Sequence, residues 1–163
     1  MSQQMVIYEE EHQKLTEICE RLVRDALAKA IFIVDKDGQL VTATGETGGI
    51  DTTGLASLIA GATAATGSLA QMLGEEEFPV HFHEGSKKHV HVSVIGETLI
   101  LVVIFDERSS LGLVRLRVKR AHGQMKDVIA SVQQKVAEGS DEDMDLFGEI
   151  TDDDIDNLFN DAF

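Results

Sequence analysis

The pattern of apolar and polar positions predicts three helices and five strands. Apolar residues recur every three or four positions over residues 9–29, 52–74 and 111–136, which is the spacing of one helical face. Short apolar runs bounded by turn residues predict strands at 30–35, 39–45, 80–85, 89–96 and 99–106. The order α-β-β-α-β-β-β-α, with short connections that suit antiparallel pairing, predicts an α+β fold.

The start of the last helix is ambiguous in the sequence. Val114, Leu116 and Val118 alternate with basic residues, which taken alone would predict a strand. The helical period continues to Val136, however, and Ser109 or Ser110 can cap its first turn. The longer period favours a helix.

The segment from Thr52 to Gly74 has an unusual composition. It has no charged residue, and 16 of its 23 residues are Gly, Ala, Ser or Thr. Its large apolar residues are Leu55, Leu58, Ile59, Leu69, Met72 and Leu73, and its second stripe is Gly54, Ser57, Gly61, Ala64, Ser68 and Gln71. Interior glycines such as Gly61 and Gly67 cost about 1 kcal/mol each relative to alanine, and close approach by another element is the usual reason for them.

Two arrangements of this helix are compatible with its pattern. The helix can be packed tightly inside its own domain, or its large face can lie on the sheet while its small face meets another chain. We expect the second, because one sheet can cover only one of two apolar faces. The helix is about 34 Å long, enough to cross a bilayer, but its four threonines, two serines and Gln71 argue against a membrane span.

Composition and charge limit the classes of partner. The net charge of −15 argues against binding to nucleic acid or to an anionic membrane, both of which need a positive surface. The basic cluster at 115–120 is therefore expected to be solvated or to meet acidic residues of a partner. The single cysteine, Cys19, falls on the apolar face of the first helix, and the N-terminus lacks the pattern of a signal peptide. We expect a cytoplasmic protein.

Residues 139–163 differ in composition from residues 1–138, which are expected to form the folded domain. The segment has ten acidic residues and no basic residue, which predicts disorder in isolation. Thr151 and Asp154 resemble a capping box at the start of 150–159. Ile155, Leu158 and Phe159 would then share one face of a short helix that folds on a partner. A simple solubilising tail is the alternative.

The remaining chemistry does not indicate an enzyme or a cofactor. Four histidines, His81, His83, His89 and His91, would lie on one side of a hairpin if its turn were centred on Ser86. They could then bind zinc or nickel, although exposed polar positions are the expected role. The glycines at 45–54 lack the Gly-Lys-Ser/Thr ending of a phosphate-binding loop. No Ser-His-Asp set, paired carboxylates or reactive-cysteine context stands out.

Four segments resemble the roadblock/dynein light chain family: 50–61 (IDTTGLASLIAG), 77–85 (EFPVHFHEG), 101–121 (LVVIFDERSSLGLVRLRVKRA) and 150–159 (ITDDDIDNLF). The resemblance extends over nearly the whole chain. It implies a five-stranded antiparallel sheet sandwiched between helices, with the central helix on one side and the first and last helices on the other. It also implies a homodimer formed by sheet extension and by pairing of the central helices.

The same resemblance implies a function. Members similar to this chain are GTPase-activating proteins whose dimer holds one MglA-like Ras-family small GTPase, controls cell polarity and gliding motility, and inserts no arginine finger. By position, the GTPase-facing residues would be Gly61, Ala64, Gly67, Ser68 and Gln71. The tail residues Ile155, Leu158 and Phe159 would touch the GTPase near its nucleotide and could modulate exchange. A roadblock scaffold that binds a GTPase without stimulating hydrolysis is the alternative, and concentration at a cell pole is a further expectation.

Overall fold

The protein forms one five-stranded sheet with a helix on one face and two helices on the other. The computed structural model describes residues 6–148. Its elements are α1 (Glu9–Asp25), β1 (Ala30–Asp35), β2 (Leu40–Gly45), α2 (Thr52–Met72), β3 (Val80–Glu84), β4 (His89–Ile95), β5 (Leu99–Phe105) and α3 (Leu111–Gly148). The predicted elements are confirmed in type and order. Only α1 is clearly shorter than predicted, because the chain leaves the helix after Asp25 and Leu27 takes a positive φ of 52°.

The strands are arranged in the order β2-β1-β5-β4-β3, and every neighbouring pair is antiparallel. The two most apolar runs, β1 and β5, lie inside the sheet, where both of their faces are covered. The strands β2 and β3 form the two edges. This confirms the antiparallel sheet that the resemblance implied.

The sheet separates two apolar cores. On one face, Ile31, Leu101 and Phe105 pack with α1 and α3. On the other face, Phe32 and Val102 pack with α2. Alternate residues of β1 and β5 therefore serve different cores, as the two-residue period of a strand requires.

Helix α3 begins where its serines predicted. The backbone N–H of Leu113 donates to Oγ of Ser110 over 3.2 Å, which caps the first turn. The helix continues to Gly148, beyond the expected end of the folded domain at residue 138. The domain boundary stays a prediction, and the tail motif with Ile155, Leu158 and Phe159 lies outside the described residues.

Helices α1 and α3 are joined by a charged contact. The buried carboxylate of Glu11 and the exposed carboxylate of Glu10 both contact Nζ of Lys135. Cys19 is buried beneath the same helix pair, and this burial raises the pKa of its thiol to about 12. The thiol is therefore protonated at neutral pH, as expected for a structural cysteine.

Candidate protein-docking surface

Helix α2 is held on the sheet by its smaller residues. Its first turn is capped by Asp51, whose Oδ1 accepts a hydrogen bond from the N–H of Gly54 over 3.0 Å. Ala56 is buried against the sheet, Ile59 is half-buried in the same core, and Ala70 is also buried. Further along the helix, Oγ1 of Thr63 lies 3.5 Å from Nε2 of His81 on β3. These positions define the sheet-facing side of the helix.

The prediction that the large apolar face of α2 lies on the sheet is wrong for most of that face. Leu55 and Ile59 pack against the core, but Leu58 is 76% exposed, Leu69 is 49% exposed and Met72 is 83% exposed. Strand residues such as Phe32 and Val102 make up most of this core, and α2 adds only Ala56, Leu55 and Ile59 to it. The large side chains are left outside.

Three of these exposed residues form a continuous stripe with exposed Ala65 and half-buried Ala62, here called the apolar row. It consists of Leu58, Ala62, Ala65, Leu69 and Met72, which follow one another at steps of four, three, four and three residues. This is the spacing with which one helix packs along another. At 3.6 residues per turn the row lies about 120° around the helix from the sheet-facing side. The four-three spacing of these residues was visible in the sequence, but the same spacing also allowed the residues to be assigned to the core.

The small stripe is exposed, as predicted. Ser57, Gly61, Ala64, Ser68 and Gln71 form an outward-facing line, here called the small row, while Gly54 at its start is partly buried. A Cβ added to Gly61 or Gly67 would meet nothing within 4 Å. Packing within the described part of the chain therefore does not require glycine at these two positions.

Gly67 lies off the small row, in the wall of a neighbouring groove. The groove has a volume of about 170 Å³ and runs between α2 and the segments that flank the sheet. It is lined by Lys36, Ala60, Thr63, Ala64, Gly67, Glu77 and Phe78. Four of the five predicted GTPase-facing residues thus share one exposed line, and the fifth opens a groove directly beside it.

The surface of α2 is uncharged. Between Thr52 and Met72 there is no acidic or basic side chain, and the hydroxyl groups of Thr66 and Ser68 donate to carbonyls one turn earlier in the same helix. Within residues 6–148, no group of three or more His, Cys, Asp or Glu side chains is placed to hold a metal ion.

By length and composition alone, α2 is also apolar enough to cross a membrane. In the fold it lies along the sheet, capped by Asp51 and packed through Ala56, Leu55 and Ile59. It is therefore a surface helix of this domain, with one side on the core and the apolar row on the outside.

The predicted arrangement of the four histidines is wrong. His83 pairs with Val90 and Glu84 pairs with His89, because the turn is centred between Ser86 and Lys87 and not on Ser86. A shift of one residue moves a side chain to the other face of a sheet. His81 and His83 accordingly lie on the α2 face, with Nδ1 of His81 3.2 Å from Nε2 of His83. His89 stacks with Phe82 on the opposite face, so the four imidazoles do not converge.

Comparison with known proteins agrees with the fold. A profile of the Roadblock/LC7 domain matches residues 14–105, which is more than half of the chain and extends from α1 to the end of β5. The chain belongs to the Roadblock/LC7 family. A comparison with curated protein sequences found no significant match.

Several solved structures are similar to this chain. MglB from Myxococcus xanthus is 52% identical, and the match covers 78% of this chain and 96% of that one with a TM-score of 0.75. The gliding protein MglB from Thermus thermophilus is 30% identical over 78% of this chain and 97% of its own, with a TM-score of 0.72. A structure described as MglB with a tetrameric arrangement is 28% identical over 81% and 99% of the two chains, with a TM-score of 0.75.

Proposed function

We propose that this protein is a homodimeric GTPase-activating protein for an MglA-like Ras-family small GTPase, and that the GTPase docks on the small row of α2. The observation that carries the proposal is the exposure of Gly61, Ala64 and Ser68 on a helix that has no charged residue. The similarity to MglB proteins supports it, as does the position of these residues relative to the family resemblance.

The small side chains are explained by an external partner. A glycine inside a helix lowers helix stability by about 1 kcal/mol relative to alanine, and within residues 6–148 no close contact at Gly61 compensates for it. A partner that lies directly on the helix backbone would recover this cost through close packing. The same argument holds for Gly67, where a side chain would enter the groove beside Ala64.

The proposed mechanism uses no arginine finger. Helix α2 has no arginine or lysine, and the basic residue that lines the adjacent groove is Lys36. Activation would then come from positioning: the docked helix holds the catalytic groups of the GTPase itself in a productive arrangement around the nucleotide. The protein would have no active site of its own and would bind no cofactor.

The apolar row suits the pairing of two copies of α2. Leu58, Leu69 and Met72 would leave an exposed apolar stripe on a monomer, and their four-three spacing fits a second helix. Two copies packed in this way would bring their small rows to neighbouring sides of one joint surface. A single GTPase could then contact both helices.

Further parts of the proposal concern the tail and the site of action. Ile155, Leu158 and Phe159 would contact the GTPase near its nucleotide and alter nucleotide exchange. The dimer would act in the cytoplasm, concentrated at a cell pole, in the control of polarity and gliding motility.

A scaffold or polarity adaptor is the second candidate, because the small row offers a binding surface without any charged or reactive group. Turnover of GTP by the cognate GTPase separates the two functions when it is measured with and without saturating protein. A GTPase-activating protein accelerates turnover. Binding without acceleration would select the scaffold.

A further inference from the structure

A second groove lies on the other face of the sheet, between strands β3 and β4 and helix α3. Its volume is about 340 Å³. The groove is lined by apolar and polar residues, Val94 through its backbone: Pro79, Val80, His91, Ser93, Val94, Arg115, Val118, Lys119 and His122. No carboxylate is among them, in a protein whose net charge is −15.

The charge of this groove comes from one side of α3. Arg115 and Lys119 are four residues apart, so they lie on the same side of the helix, and both are exposed. His122 follows three residues later, and its Nε2 is 3.0 Å from the carbonyl oxygen of Val94 on β4. The groove therefore has two exposed cations at its rim and a histidine whose ring is fixed against the sheet.

Two polar side chains at the base of the groove are buried without a partner. His91 is 2% exposed and Ser93 is 3% exposed. Neither Nδ1 of His91 nor Oγ of Ser93 makes a hydrogen bond within the described part of the chain. A buried polar group without a hydrogen bond is destabilising, and buried polar groups in folded proteins are nearly always paired. A ligand in the groove would supply the missing acceptor.

We propose that this groove binds a compact oxyanion, a phosphate or a carboxylate, attached to a small apolar group. Arg115 and Lys119 would neutralise its charge, and the O–H of Ser93 and the Nδ1–H tautomer of His91 would donate hydrogen bonds to its oxygens. Burial, followed by the nearby Arg115, lowers the pKa of His91, so the imidazole is neutral and serves as a hydrogen-bond donor. Val80 and Val118 would contact the apolar part.

The site is tested by NMR titration of the full-length protein at constant ionic strength. Inorganic phosphate and benzoate are the two probes, chloride is the control, and the readouts are the imidazole signals of His91 and the backbone amide of Ser93. We expect saturable shifts with at least one oxyanion, and the active probe distinguishes a phosphate from a carboxylate ligand. Arg115→Gln should weaken binding about fivefold or more. Arg120→Gln, on the same helix but lining a different groove, should leave affinity unchanged.

Ser93→Ala separates a ligand-binding hydroxyl from a structural one. Because the hydroxyl has no partner within the described residues, its removal should not lower the urea midpoint of unfolding, while it should weaken oxyanion binding. The proposal is wrong if neither oxyanion gives saturable shifts, if chloride gives the same shifts, or if Arg120→Gln weakens binding as much as Arg115→Gln does. It is also wrong if Ser93→Ala destabilises the fold without changing affinity.

Discussion

Thr63 on α2 and His81 on the edge strand β3 meet through Oγ1 and Nε2 at 3.5 Å. Burial, with a smaller effect of the neighbouring His83, lowers the pKa of His81, so this imidazole is neutral at physiological pH. Together with buried Ala56, the contact fixes which side of α2 lies on the sheet. Ala64, the next residue, is about 100° further round the helix and is exposed.

Gly61→Ala should separate stability from function. We expect the folded protein to gain about 1 kcal/mol in stability, because alanine favours the helix and the added methyl group meets none of the described residues within 4 Å. Affinity for the GTPase should fall about tenfold, because the methyl group lies where the partner approaches closely. Urea unfolding and binding titrations measure the two effects.

Gly123→Ala is the matched control for this prediction. Gly123 is an exposed helical glycine on α3, where an added Cβ also meets nothing within 4 Å. The control should gain similar stability and bind the GTPase normally. Equal affinities for the two variants would show that Gly61 does not face the partner.

Leu69→Glu should weaken the homodimer. Leu69 belongs to the apolar row, and a carboxylate there would have to be buried between two copies of α2. We expect the dissociation constant of the dimer to rise at least about tenfold, since burial of one leucine contributes about 1.5–3 kcal/mol. Sedimentation equilibrium gives the constant, and circular dichroism checks the fold. Leu116→Glu, at an exposed leucine of α3, should leave the dimer intact, and equal effects of both changes would contradict the proposed pairing.

Lys36→Ala tests whether Lys36 supplies a catalytic positive charge to the GTPase, as an arginine finger would. Lys36 is the basic residue that lines the groove beside Ala64 and Gly67. We expect the maximal rate of GTP hydrolysis at saturating protein to stay within about threefold of wild type, whereas loss of a true finger costs about a thousandfold or more. A loss of that size would assign the finger role to Lys36.

Lys135→Met should destabilise the domain. The substitution leaves the buried Glu11 carboxylate without its cation, and an unpaired buried charge is costly. The urea midpoint should fall, and adding Glu11→Gln should restore part of the loss. If Lys135→Met alone raises the midpoint, the ion pair does not hold α1 to α3.

The contact between Lys135 and Glu10 predicts how the stability of the domain depends on pH. The hydrogen bond from Lys135 is the largest cause that holds the pKa of Glu10 below its ordinary value of 4.5. A lowered carboxylate pKa gives stability that is present above 4.5 and is lost as the pH falls through the folded-state pKa. Lys135→Met should therefore lose less stability than wild type on acidification below pH 4.5, measured by urea midpoints. Identical pH profiles would exclude this linkage.

The element order could be predicted from the sequence because the apolar period changes clearly from helix to strand. The side of α2 that meets the core could not. Leu58 and Ile59 are adjacent and equally apolar, but they lie about 100° apart around the helix, and only Ile59 packs against the core. Which of the two sides meets the core depends on how the helix is seated on the packed sheet, which local periodicity does not encode.

The candidate site was predictable in part. Interior glycines on an uncharged helix indicated the small row, since helices rarely contain them without cause. The histidine hairpin was not predictable, because a turn placed half a residue away moves His89 and His91 to the opposite face from His81 and His83. The partnerless polar atoms of His91 and Ser93 depend on that register and could only be found in the structure.

The most direct test of the account is single-turnover GTP hydrolysis by the MglA-like GTPase, measured with wild-type protein, Ala64→Arg and Ala130→Arg. Both substitutions replace an exposed helical alanine, one on the small row and one on α3. We predict strong acceleration by wild type and by Ala130→Arg, and none by Ala64→Arg, which should remain folded and dimeric. Undiminished acceleration by Ala64→Arg would contradict the claim that the GTPase docks on the small row of α2.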